Sequence, residues 1–111
     1  IKTVFGADVL FDPGAASRQG NYLAMLIRWM TPAEALRTAT ANTGELLALS
    51  SFINPYPGKL GVVEEGALAD LLLVDGNPLE NIQLVADPAR NFLVIMKDGV
   101  IYKNTLGAAR K

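Results

Sequence analysis

The side chains here that could do chemistry are few: Asp8, Asp12, Arg18, the adjacent pair Glu64 and Glu65, and Asp70, in a chain with no histidine and no cysteine. Asp8 closes the opening apolar run IKTVFGADVL. A carboxylate there can take up a proton or ligate a metal, and its type and spacing alone favour the plainer role of a strand-end acid that caps a turn or helix. Asp12 precedes Pro13 and Gly14, a turn signature that competes with substrate contact. Arg18 lies in the same segment and could meet a carboxylate bidentately, or simply face solvent. Glu64 and Glu65 are neighbours, so in an extended segment they point to opposite faces and cannot form an acid–base pair. Asp70 precedes an apolar strand and is expected to hydrogen-bond the turn backbone after Gly66. Tyr22 and Trp29 are expected to be core or interface anchors. GKLG and DGNP lack the spacing of a phosphate loop.

The elements that must position these groups fall into two unlike halves. Thr3 to Phe5, with Val9 and Leu10 beyond, read as a buried strand ending near Asp8. LFDPGAASRQGN reads as a loop longer than a simple connection needs. Leu23, Leu26, Ile27 and Met30 recur at helical spacing. TPAEAL then opens a second helix, with Thr31 as N-cap, Pro32 in the first turn and Glu34 closing a capping box. NTGELLAL opens a third, capped by Asn42 or Thr43. The alanines of the second helix suit close packing on a sheet. NPYPG ends the helical half. After it come a short strand at Val62 and Val63, an apolar strand from Leu71 to Val74, one or two helical turns in LENIQLV, and the hairpin FLVIMKDGVIYK, whose Asp98-Gly99 supplies the positive φ of a type I′ turn. The tail NTLGAARK is expected to be loose.

Composition narrows the classes. The 111 residues fit one small domain with 50% hydrophobic residues, and ten Lys plus Arg against 11 Asp plus Glu give a net charge of −1. There is no basic stripe for nucleic acid and no apolar run long enough for a membrane span, so neither partner is expected. No targeting segment is visible, and on that ground a cytoplasmic protein is expected. The chain opens on Ile inside an apolar run, and neither half has its own complement of layers. The expectation is that further sequence precedes it.

Four blocks, FGAD, MTPAEALRTATANTGELLAL, EEGALADLLLVDGNPLENI and VIMKDGVIYK, together resemble the carboxyl-terminal end of the metal-dependent amidohydrolases, in particular the imidazolonepropionase-like and Xaa-Pro dipeptidase-like branch. The resemblance implies an α/β fragment. Residues 1–52 would be the last βα unit of a (β/α)8 barrel, with its active-site loop and closing helices, and residues 53–111 the carboxyl-terminal share of a small β-sandwich in a composite domain. It implies that Asp8 sits at the carboxyl end of a barrel strand, where barrel active sites lie, and that it ligates a divalent metal, zinc by expectation, and accepts a proton from metal-bound water. Asp12 and Arg18 fall where such proteins read substrate. Ala7 departs from the usual Gly-Thr-Asp, and the family's other ligands include histidines that this chain does not have. The resemblance therefore implies a hydrolase of amide-like C–N bonds only as part of a longer protein. The isolated chain is expected to be inactive and metal-free, to need the missing amino-terminal barrel portion as its partner, and to form homo-oligomers when expressed alone. The rival reading is a stand-alone, non-catalytic α+β interaction module derived from such an end, a homodimer that pairs its edges.

Overall fold

The computed structural model describes residues 1–107; the last four residues of the expected loose tail lie outside it. In chain order the elements are α1 (Pro13–Ala16), α2 (Gln19–Met25) continuing into a 3-10 turn (Leu26–Arg28), α3 (Pro32–Ala39), α4 (Ala41–Ala48), a 3-10 turn (Ser51–Ile53), β1 (Leu71–Val74), a 3-10 helix (Ile82–Ala86), α5 (Pro88–Asn91), β2 (Phe92–Lys97) and β3 (Val100–Asn104).

Local signals set the sharpest of these. Thr31 Oγ1 accepts from the Glu34 N–H at 3.3 Å, while Glu34 Oε2 accepts from the Thr31 N–H at 2.7 Å, so the box is reciprocal and Pro32 fills the first turn. The β2–β3 hairpin turns at Asp98 and Gly99, with φ of 48° and 75°, as a type I′ turn requires. With β1 alongside, the strands form an antiparallel sheet of order β1-β2-β3. Asp70 Oδ1 accepts from the Asp98 N–H at 2.8 Å and Ala69 O from the Gly99 N–H at 3.1 Å. Asp70 thus holds the hairpin turn, not the Gly66 turn assigned to it from sequence.

Other expectations are corrected. Residues 1–9 form no sheet, because the described residues place no second strand beside them; they lie along the α3–α4 corner and are largely exposed. Val62 and Val63 form no strand; one bridge, Lys59 to Ala67, joins that region. The LFDPGAASRQGN segment is not a plain loop: Asp12 and Pro13 start α1, and α2 begins at Gln19. Neither Asn42 nor Thr43 caps α4, which starts one residue past Thr40; Thr43 Oγ1 donates to Thr38 O at 2.6 Å and Asn42 Nδ2 to Thr3 O at 2.9 Å. Trp29 is 73% exposed and is no core anchor within this chain.

The helices do not cover the sheet. α2 packs on the 3-10 helix at Ile82–Ala86, and the core is Ala24, Ile82 and Val85 flanked by Leu23, Leu36 and Phe92. Gly20 permits that seam: a Cβ there would stand 1.9 Å from Val85 O. Gly44 does the same against Leu60, where a Cβ would lie 2.2 Å from the carbonyl oxygen. No described helix is long and apolar enough to cross a membrane.

Candidate functional site

Asp8 is positioned from the α3–α4 corner. The buried Thr38 Oγ1 donates to Ala35 O at 2.6 Å, closing the last turn of α3. Thr38 O then accepts from both Thr43 Oγ1 and, at 3.0 Å, the Phe5 N–H. Asn42 holds Thr3 through its carbonyl, and Lys2 pairs with Glu45. These ties run along the incoming segment and impose a two-residue rhythm: Phe5, Ala7 and Val9 are half-buried against the helices, while Val4, Gly6, Asp8 and Leu10 are exposed. Up to Ala7 that is the period of an extended chain with one face covered; at Asp8 the backbone turns out of it. Asp8 stands on the uncovered face, two residues after Gly6, where a Cβ would meet nothing within 4 Å.

The backbone at the end of this segment is unusual. Asp8 has φ of 47° and Phe11 of 68°. An aspartate tolerates the left-handed region; a bulky phenylalanine rarely enters it. The Asp12 N–H donates to Val9 O at 3.4 Å, so Leu10 and Phe11 are the middle of a four-residue turn and Phe11 occupies the position where glycine relieves a positive φ. Such conformations cost on the order of 1–3 kcal/mol each and gather at functional sites. Sequence reading put Leu10 in the buried strand, whereas it is an exposed turn residue, and did not single out Phe11, since nothing in residue type marks a phenylalanine for that region.

Asp12 and Arg18 fare differently. Asp12 Oδ1 accepts from the Ala15 N–H at 2.9 Å as N-cap of α1, which commits part of its hydrogen-bonding capacity to the helix start. Arg18 precedes α2 with its side chain off the cap, exposed, and among the described residues no ion pair joins it to Asp8 or Asp12. The three candidates thus share one stretch of chain without forming one cluster. Glu64 pairs with Lys59 at 2.6 Å and is exposed, as its neighbour Glu65 is.

A metal centre needs more than this. Zinc takes four ligands, or three and a water, and among the described residues no three His, Cys, Asp or Glu side chains come together to hold an ion. Asp8 can give one carboxylate to a metal; the described residues do not fit a complete site, and hydrolysis through a metal cannot be built on them alone.

No family model matches the chain, and no curated protein matches it. Solved structures do. The chain is 32% identical to a crystallised amidohydrolase over 82% of its own length and 20% of that protein, with a TM-score of 0.69. It is 32% identical to a prolidase complexed with N-methylphosphonate-L-proline over 82% of its length and 21% of that chain, with a TM-score of 0.68. It is 30% identical to A. niger ochratoxinase over 78% of its length and 19% of that chain, with a TM-score of 0.64. The chain therefore spans about a fifth of the solved structures it matches. A small α/β chain with a three-stranded antiparallel sheet, it is similar to one segment of the amidohydrolases, a carboxyl-terminal piece of a larger protein.

Proposed function

We propose that the chain is the carboxyl-terminal part of a metal-dependent hydrolase of amide-like C–N bonds, and that Asp8 contributes one carboxylate to a metal centre whose other ligands lie in sequence outside these residues. The observation that supports this most is the alternating exposure of residues 4–10. It leaves Asp8 exposed on the face away from the helices, which in this reading is the face that would line the mouth of the barrel. In this reading residues 1–52 are the last βα unit of a (β/α)8 barrel and its closing helices, and residues 53–111 are a share of a β-sandwich completed by the other end of the protein. The partner of this chain is then its own missing barrel portion. Zinc is the proposed metal, because the likeness is to amidohydrolases, and the isolated chain is proposed to be inactive.

Asp12 and Arg18 remain candidates for substrate contact from one rim, Arg18 with the freer side chain. The N-methylphosphonate-L-proline bound by the similar prolidase makes N-acyl-L-prolines a sensible first panel. The test is metal content by elemental analysis, with amide hydrolysis, of the full-length protein carrying this chain, as wild type and as Asp8→Asn. The expected outcome is loss of bound metal and a fall in kcat of about 10²–10⁴-fold, the range set by removal of a group that handles the proton. Unchanged metal content and turnover would remove Asp8 from the site.

A further inference from the structure

The first turn of α4 carries two polar side chains that bond away from the helix itself. Asn42 Nδ2 donates to Thr3 O at 2.9 Å, across 39 positions of sequence. Thr43 Oγ1 donates at 2.6 Å to Thr38 O, which also accepts from the Phe5 N–H at 3.0 Å. The Thr3 carbonyl and the Phe5 N–H are two residues apart, so in an extended segment they lie on one edge, and the α3–α4 corner meets both as a partner strand would. The corner has little room to yield. Thr38 is buried, and the backbone of residues 60–61 docks on the other side of the corner: a Cβ on Gly61 would stand 2.2 Å from Thr40 O. Register decides which face each residue of an extended segment presents, and a slip by one residue exchanges the two faces. Here Phe5 and Ala7 are half-buried and Gly6 is exposed, and from that register the chain turns out at Asp8 with φ of 47°. The Lys2–Glu45 pair joins two exposed side chains and holds no backbone group. Asn42 therefore makes the one side-chain bond to the segment's backbone among the described residues.

We propose that Asn42 is a positioning residue: through the Thr3 carbonyl its side-chain amide sets the register of residues 3–7, and with it the place at which Asp8 leaves the segment. The inference rests on the reading of Asp8 as part of a hydrolytic site and adds to it a residue that acts through Asp8.

The experiment uses the full-length protein carrying this chain, as wild type, Asn42→Ala, Asn42→Gln, Asp8→Asn and the double variant of Asn42→Ala with Asp8→Asn. Alanine removes the amide and is a good helix former, so α4 is expected to stand in Asn42→Ala. Glutamine keeps the amide on a longer stem. Two quantities are read in each protein: hydrogen–deuterium exchange of peptides within residues 1–9, and kcat and KM on the N-acyl-L-proline panel. Asn42→Ala is expected to lose exchange protection in residues 1–9 while peptides covering Ile82–Ala86 keep theirs. Its kcat should fall about 10–100-fold, the scale of a small misplacement of a reacting group, with KM little changed. Asn42→Gln should recover part of both. In the Asp8→Asn background the same change should lower kcat by less than about twofold, because residues that act as a unit are not additive. Unchanged protection or unchanged kcat in Asn42→Ala, an Asn42→Gln protein no better than it, or an equal fall in both backgrounds would each overturn the inference and leave Asp8 in place. Wild-type turnover in Asp8→Asn, or a wild type that cleaves none of the panel, overturns the hydrolase reading and this inference with it.

Discussion

Thr31 and Glu34 illustrate how much a pair of exposed side chains can decide. Their reciprocal bonds fix the first turn of α3, and α3 carries Thr38, whose carbonyl holds the segment that ends at Asp8. The Thr31 backbone N–H, and after it the Thr31 hydroxyl, hold the Glu34 carboxyl below its ordinary value; the Lys2 ammonium does the same to Glu45. A carboxylate whose pKa is lower folded than unfolded adds stability above its unfolded pKa and loses it as pH falls through the folded one. Both groups are solvent-facing, so the effect is modest and screened by salt. Thr31→Ala is expected to cost about 1 kcal/mol at neutral pH, read by far-UV circular dichroism during thermal unfolding. The difference between wild type and Glu34→Gln should shrink as pH drops through the acid range; a gap that persists there would mean Glu34 acts through packing, not charge. The capping box was legible because every atom it needs lies within four residues. The left-handed Phe11 was not, because residue type argues against it and only the folded turn reveals it.

The same division runs through the elements. The strand LLLV and the Asp98-Gly99 hairpin could be read directly, since periodicity and turn chemistry specify them locally, while the helical turn expected in LENIQLV forms only from Ile82 to Ala86. The segment before Asp8 reads as a strand, and its exposure does alternate, yet it has no described neighbour to pair with; a strand is a property of two segments. Val62 and Val63 fail for the same reason. Asn42 and Thr43 were misassigned as caps because their true partners, Thr3 and Thr38, come from outside α4. The packing of α2 on the Ile82–Ala86 helix was also invisible, although Gly20 marks it. That seam joins the helical half to the sheet half through a close backbone approach that no side chain beyond hydrogen fits. Gly20→Ala gains helix propensity but must displace the Val85 carbonyl. The expected net effect is destabilisation by 1–3 kcal/mol or more, roughly the cost of overpacking, seen as a lower urea midpoint. An unchanged or raised midpoint would show that the seam opens freely and that the two halves are only loosely joined.

At the scale of the whole molecule the surface is too large for the mass. A folded monomer of 11.9 kDa exposes about 6,000 Å², whereas this chain exposes 8088 Å². The excess, roughly 2,000 Å², exceeds what each partner buries in a standard protein interface. The radius of gyration of 14.8 Å likewise exceeds the ~13 Å of a compact domain this long. The apolar part of the excess is specific. β1 is a run of four apolar residues with Leu71, Leu72 and Leu73 all exposed, a pattern that belongs to a strand covered on both faces, yet it sits at the sheet edge. β3, the other edge, exposes Val100, Ile101 and Tyr102. Its one lysine, Lys103, does not guard the edge, because its Nζ donates to Pro88 O and Ala89 O at 2.9 and 2.8 Å. Edges without charge, proline or cover are templates for further pairing. The isolated chain is therefore expected to self-associate at micromolar concentration, measured by sedimentation velocity, and to bind a hydrophobic dye. Leu72→Lys and Ile101→Lys should each reduce that association with little loss of Tm, since neither side chain is buried within the chain. Addition of the separately produced barrel portion should suppress it more completely and, if Asp8 lies where proposed, restore metal binding. A wild-type chain that stays monomeric across the concentration range would mean that the exposed strands are tolerated by a self-sufficient fold. In that event the surface excess would no longer support a missing partner, and the reading of the chain as part of a larger hydrolase would stand on the sequence and structural likeness alone.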